Sequence, residues 1–168
     1  MKNYIKAVLY AYPLLKNVSE DYREHIRNKA LLSYRSDKPT IEIAEYIAEE
    51  IVEKERLEWL KGRVEEVLAK LDDVERTLLA IRYFGKEKRI KKAVRGGSSF
   101  GAWSERKYFR RQKRLGDKVG GMFVACGVSE SVFEREFATM GIFKKIYAFV
   151  CEGKDQRITQ SERRWIGV

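Results

Sequence analysis

The chain has 168 residues, of which 44% are hydrophobic, and it carries a formal net charge of +10. That length holds one core or two small helical subdomains, the hydrophobic content excludes a mostly disordered chain, and the presence of only two prolines fits a chain of long helices. Two cysteines exclude a disulfide framework; both Cys126 and Cys151 follow apolar helical runs, and buried free thiols in a reducing cytoplasm are expected.

Residues 3–16 read as a short helix with Ile5, Leu9 and Tyr12 on one face, kinked or ended by Pro13. Lys2 to Leu15 mimics a signal peptide, but Lys6, Pro13 and Lys16 interrupt it and no small-residue cleavage site follows. No run reaches the length of a membrane span. A cytoplasmic chain without membrane association is therefore expected. Ser19 is a good N-cap with Glu20 and Asp21 in the following turn. The helix it opens should run to about Tyr34, with Tyr22, Ile26, Ala30 and Leu31 on its apolar stripe. Arg35 to Pro39 reads as a loop.

Thr40 is expected to cap the longest element, a scaffold helix over about 41–70. Its apolar positions Ile43, Ile47, Ile51, Leu57, Leu60, Val64, Val67, Leu68 and Leu71 recur at helical spacing. Glu49–Lys54 and Glu58–Lys61 are near enough to pair, and Gly62 is a point of weakness. A dimerising coiled coil is the rival reading. The pattern drifts from a strict heptad over too few repeats, which favours the scaffold while leaving a homodimer open.

Asp72-Asp73-Val74-Glu75 has the form of a capping box. It opens a helix carrying Leu78, Leu79, Ile81 and Phe84, with Gly85 as its stop. Residues 86–103 are basic in their first half and Gly/Ser-rich in their second; 87–95 reads equally as a short helix or as one arm of a hairpin. Ser104 caps a helix reaching about Ala125, with Tyr108, Leu115, Val119, Met122 and Phe123 as its apolar positions and a weak point near Gly120. Ser129 and Thr159 look like further caps. They suggest helices at 130–139, about 142–151 and a short terminal one. Phe133, Phe137, Ile142, Phe143, Ile146, Tyr147 and Phe149 make this tail a packing module.

Charge is concentrated rather than spread. Residues 77–118 hold 14 basic and 3 acidic side chains, an excess of +11, while residues 42–76 hold 6 basic and 12 acidic. Concentration of this kind favours a polyanion site over general solubility charge. The basic helix lacks the broad apolar face that a membrane surface would require.

Catalytic chemistry is poorly represented, and no enzyme is expected. The single histidine, His25, has no Cys or Asp at ligand spacing, and the cysteines stand apart without partner histidines, so neither a metal nor another cofactor is expected. Gly96-Gly97-Ser98-Ser99 lacks the Gly-Lys-Ser/Thr ending of a phosphate-binding loop. Nucleic-acid recognition is better supported. Lys and Arg contact phosphates, and residues near the start of a recognition helix reach base edges. Glu105, Arg106, Lys107, Arg110 and Arg111 are placed for those two tasks. With the basic segment before them and the end of the basic run, the expected DNA-binding set is Lys88, Arg89, Lys91, Lys92, Arg95, Ser104, Glu105, Arg106, Lys107, Arg110, Arg111 and Arg114.

The runs Leu78-Leu79-Ala80-Ile81-Arg82-Tyr83-Phe84 and Ser104-Glu105-Arg106-Lys107-Tyr108-Phe109-Arg110 resemble region four of bacterial sigma factors. They resemble still more closely the related phage late-gene regulators of the ArpU/RinA type. The resemblance covers roughly residues 71–119. It implies that the helix opened by Ser104 enters the major groove, with Ser104, Glu105, Arg106, Lys107, Arg110 and Arg111 at the DNA. The family's apolar middle helix is replaced here by Lys-Arg-Ile-Lys-Lys-Ala-Val and a Gly/Ser-rich loop, so the helix-turn-helix is partly degenerate.

The expectation is an all-α, multi-helix protein: a helical scaffold over 1–71, a central helix-turn-helix over 72–127 and a helical packing module over 128–168. It would read duplex DNA as a transcriptional regulator, with RNA polymerase as a further partner. Two rival readings use the same surface. One is a helical adaptor whose basic face docks an acidic protein, such as a polymerase or a phage component. The other is an RNA-binding module that stacks bases on Trp103, Tyr108 and Phe109.

Overall fold

A computed structural model describes residues 1–33, 40–84 and 105–153. The described residues form six helices and no strand: α1 (Asn3–Ser33), α2 (Thr40–Ala69), α3 (Asp73–Tyr83), α4 (Glu105–Ala125), α5 (Glu130–Glu136) and α6 (Gly141–Cys151). The protein is all-α. Among the described residues no helix is long and apolar enough to cross a membrane. The expected middle helix, the Gly85 stop, the Ser104 cap and the terminal helix after Thr159 lie outside the described residues.

The chain divides into two compact units, one of Met1–Pro13 with Arg63–Val168, the other of Leu14–Gly62. In the first unit, the start of α1 buries Tyr4, Ile5, Ala7, Val8, Leu9, Tyr10 and Ala11. The end of α2 adds Val64 and Val67, and the turn after it adds Leu71. An aromatic cluster closes the core: Phe133 lies 6.0 Å from the Tyr4 ring, 5.4 Å from Phe143 and 5.2 Å from Tyr147. Edge and tilted contacts at these separations add to simple burial. The Tyr4 hydroxyl donates to the Val128 carbonyl at 3.2 Å, and Lys2 pairs with Glu130 at 2.8 Å. The Glu130 carboxylate raises the Lys2 pKa.

The second unit is a helical hairpin made of the rest of α1 and the first part of α2. Leu15, Leu57 and Leu60 are buried at one end. Beyond them the seam is polar. Ser19 donates to Glu58 at 2.9 Å and Tyr22 to Glu53 at 2.6 Å. His25 Nδ1 lies 3.5 Å from Glu50, and the Lys29 ammonium sits 3.3 Å above the Tyr46 ring. These rungs descend α1 as they climb α2, which fixes an antiparallel register. Burial, with the Glu53 carboxylate as hydrogen-bond acceptor, pushes the Tyr22 hydroxyl pKa well up.

Several expectations are corrected. Pro13 lies inside α1 and does not end it. Its missing N–H and its ring clash disfavour the helix by about 3 kcal/mol. Tyr10 and Ala11 before it and Leu15 after it are buried, while Tyr12 and Leu14 beside it are half-buried. Ser19 caps nothing: it is buried within α1 and spends its hydroxyl on Glu58. Ala30, Leu31 and Ile51 are exposed rather than core, because Tyr22, His25, Glu50 and Glu53 occupy the seam. Lys54 pairs with Glu58 at 2.8 Å rather than with Glu49. Cys151 is exposed at the end of α6; its neighbour Val150 takes the inward position.

Candidate nucleic-acid interface

The candidate surface is built on α3 and α4, both in the first unit. Asp72 accepts from the Glu75 backbone N–H at 2.7 Å, and the Asp72 N–H donates to Glu75 Oε2 at 3.2 Å. This reciprocal box satisfies two of the orphan donors at the helix start. It opens a helix that buries Leu78, Leu79 and Tyr83. Tyr83 meets the ring of Tyr10 edge-on at 4.8 Å, and Phe84 meets Tyr12 at 5.2 Å.

α4 has two opposed faces. Gln112, Leu115, Gly116, Val119 and Phe123 are buried, at spacings that define one side of a helix. Met122 is half-buried. The other side carries Arg106, Arg110 and Arg114, one helical turn apart, flanked by Lys107, Arg111 and Lys113; all six are exposed. From Arg106 to Arg114 the row spans about 12 Å along the axis. Phe109 stands beside it, 60% exposed.

Three features set the presentation of this row. The Gln112 amide donates to the Leu78 carbonyl at 3.3 Å, tying α4 to α3. Lys118 reaches both oxygens of Glu75, at 2.6 and 2.8 Å, so one carboxylate caps α3 and holds α4. At Gly116 an added Cβ would lie 3.2 Å from the Met1 Cβ. That glycine stands where Met1, just before α1, approaches closely. Gly120 does not break the helix, which continues to Ala125.

The end of α4 is equally defined. Gly127, at φ +84°, donates to the Val124 carbonyl, and Val128 donates to that of Phe123 at 2.9 Å. This is a Schellman stop, in which glycine takes the left-handed residue. Cys126, beside it, is half-buried rather than buried. Burial, reinforced by its hydrogen bond to Glu66, raises the pKa of its thiol, and such a thiol is a poor nucleophile. Lys70, which donates to Glu66 at 2.8 Å, holds the Glu66 carboxyl below its ordinary value. Next to it, Ser129 caps α5 by accepting from the Val132 N–H at 3.3 Å.

Of the expected DNA-binding residues, Arg106, Lys107, Arg110, Arg111 and Arg114 are brought together on one helix surface, and Glu105 opens that helix. Lys88, Arg89, Lys91, Lys92, Arg95 and Ser104 lie outside the described residues. Sequence reasoning missed Gln112, the one uncharged polar residue in the basic run. Its signal is phase: it precedes Leu115 by three and Val119 by seven. It also missed that Lys118, the last cation of the basic segment, is committed to Glu75. No protein-family profile, curated protein or solved structure matches this chain.

Proposed function

We propose that this chain binds duplex DNA by laying the outer face of α4 in the major groove. The observation that carries the proposal is the exposed row Arg106, Arg110 and Arg114, set opposite a buried stripe that fixes the helix on α3. A basic surface on a rigid, packed helix presents its charges at a defined spacing, which a mobile basic tail does not. Arg106 and Lys107, near the helix start, are placed for base edges; Arg110, Arg111 and Arg114 are placed for phosphates. The resemblance to sigma region four supports a regulatory role in transcription, with RNA polymerase as the second partner.

Fluorescence anisotropy of the full chain against labelled duplexes tests this. Binding should weaken steeply with salt, and Arg110→Glu with Arg114→Glu should abolish it while circular dichroism retains the helices. Neutralising either arginine alone should lower the log–log salt slope by about 0.9. Absence of binding at micromolar protein in low salt, or a double charge reversal that binds as before, would overturn the reading.

A further inference from the structure

Within the hairpin of Leu14–Gly62, α1 and α2 leave a groove along one side of their seam, and its two halves differ in chemistry. The rungs Ser19–Glu58, Tyr22–Glu53 and His25–Glu50 set the register. Toward Ser33, Ala30 and Leu31 of α1 face Ile43, Ala44 and Ile47 of α2 across a cleft of about 390 Å³. Leu31 is 59% exposed there. Toward the other end, Lys16, Glu20 and Arg23 face Lys54, Glu58 and Lys61. Arg27 lines the apolar cleft, one turn from Arg23. At 3.6 residues per turn, the groove positions of each helix fall within about 100° of one another, so both clefts lie on the same side of the seam.

Charge is segregated in this unit. Its sequence holds 9 basic and 11 acidic residues, yet the groove gathers five of the basic residues and only two of the acidic ones. Those two carboxylates already face cations of their own helices: Glu20 lies 3.8 Å from Lys16 and Glu58 lies 2.8 Å from Lys54. Arg23 and Arg27 are exposed and make no ion pair among the described residues. They stand about 6 Å apart along the axis. Like charges one turn apart repel; two carboxylates at the same spacing on a facing helix would reverse the sign of that interaction.

An occupant has to supply apolar side chains at one end and carboxylates at the other, over about 22 Å from Leu31 to Lys16. Nucleic acid supplies negative charge but nothing to fill a cleft walled by leucine and isoleucine. An amphipathic helix supplies both, and the groove between two antiparallel helices accepts a third as a bundle does. We propose that this groove docks an acidic amphipathic helix of a partner protein. Its apolar side chains lie against Leu31 and Ile47, and two carboxylates one turn apart lie against Arg23 and Arg27. Nothing in this inference depends on α4 or on DNA.

Anisotropy of labelled helical peptides of about fifteen residues, titrated with the full chain, tests it. One peptide carries leucines on one face of its first half and glutamates on the same face of its second; another has the halves in the opposite order. Controls replace the glutamates by lysines. One glutamate peptide should bind with a Kd of about 10–100 µM, in keeping with a small interface, and its lysine control at least about tenfold more weakly. Arg23→Glu with Arg27→Glu, both at exposed positions, should retain helicity, lose the glutamate peptide and bind the lysine control instead. Leu31→Asp should weaken the glutamate peptide about fivefold. Failure of both glutamate peptides to bind the parent chain overturns the proposal, as does equal binding of the lysine controls or a charge reversal that does not exchange the preference. In the Arg110→Glu, Arg114→Glu background, excess duplex DNA should leave the peptide bound; displacement would give the groove to nucleic acid. Dimerisation of the parent chain in sedimentation equilibrium, lost on reversing Arg23 and Arg27, would give it to a second copy. Either result also overturns the proposal.

Discussion

Phe133 and Glu50 hold corresponding places in their two units, each turned inward from a helix, at 0% and 8% exposure. Around Phe133 stand the rings of Tyr4, Phe137, Phe143 and Tyr147. Glu50 has His25 on one oxygen, while its buried Oε2 has no hydrogen-bond partner among the described residues. The first unit holds 26 basic and 14 acidic residues, the hairpin 9 and 11. In the first unit apolar groups are inside and charge is outside, which stiffens the element that displays the basic row. In the hairpin, polar rungs occupy the seam and apolar groups face outward. Polar rungs specify register at some cost in stability; the displaced apolar groups become available for contact with something else.

The largest effect should come from breaking the aromatic core. Phe133→Ala removes a fully buried ring and should destabilise the protein by about 3–5 kcal/mol in urea unfolding. The matching truncation in the hairpin, Leu31→Ala at an exposed position, should change stability by less than about 0.5 kcal/mol. Equal losses at the two sites would erase the contrast between the units.

Next comes a substitution expected to stabilise. Glu50→Leu replaces a buried carboxylate, one oxygen of which has no partner among the described residues, by an apolar group of similar size. Such replacements are often worth about 1–2 kcal/mol in favour of the variant. Hydrogen exchange of the hairpin amides should slow. Faster exchange would mean that the His25–Glu50 rung contributes more than it costs, and the polar seam would then be a source of stability.

The cap of α3 is smaller in scale. Asp72→Ala removes the acceptor for the Glu75 N–H and should cost about 1 kcal/mol. Glu75→Gln keeps a group able to serve the box but loses the charge that holds Lys118. If the Lys118 tie positions α4, Glu75→Gln should weaken DNA binding more than Asp72→Ala does, despite a smaller loss of stability. The reverse order, read by anisotropy and urea unfolding on the same samples, would reduce Glu75 to a capping residue.

What was legible in the sequence was local. The capping box at Asp72, the Ser129 cap and the two faces of α4 each depend on residues within a few turns, so spacing alone reveals them. What was not legible depends on partners far along the chain. Pro13 reads as a helix end until the burial on both sides of it is known. Gln112 reads as one more surface residue until the Leu78 carbonyl, 34 positions away, is placed opposite. Ile51 fits the inner stripe of α2 by spacing as well as Glu50 does not. Only the presence of Tyr22 and His25 on the facing helix turns the seam polar and the isoleucine out. The interleaving of residues 1–13 with the C-terminal helices, through Tyr4–Val128 and Lys2–Glu130, leaves no periodic trace at all.

The smallest effect concerns how the seam responds to pH. Glu58 receives hydrogen bonds from Lys54 and Ser19, which hold its carboxyl below the ordinary glutamate value near 4.5. A carboxyl depressed in the folded state contributes stability above its unfolded pKa and loses it as pH falls through the folded one. The rung should therefore weaken only in acid, below the ordinary glutamate range. The side chain is 49% exposed, so water screens much of the interaction and the contribution is small. Ser19→Ala removes one of the two donors without touching the charge on Lys54. The Glu58 midpoint, followed by the NMR shift of its carboxyl carbon, should then rise toward the ordinary value but stay below it. A midpoint that does not move would show that Lys54 alone holds the carboxylate, leaving the buried serine a packing residue; a midpoint already ordinary in the parent chain would remove this rung from the seam.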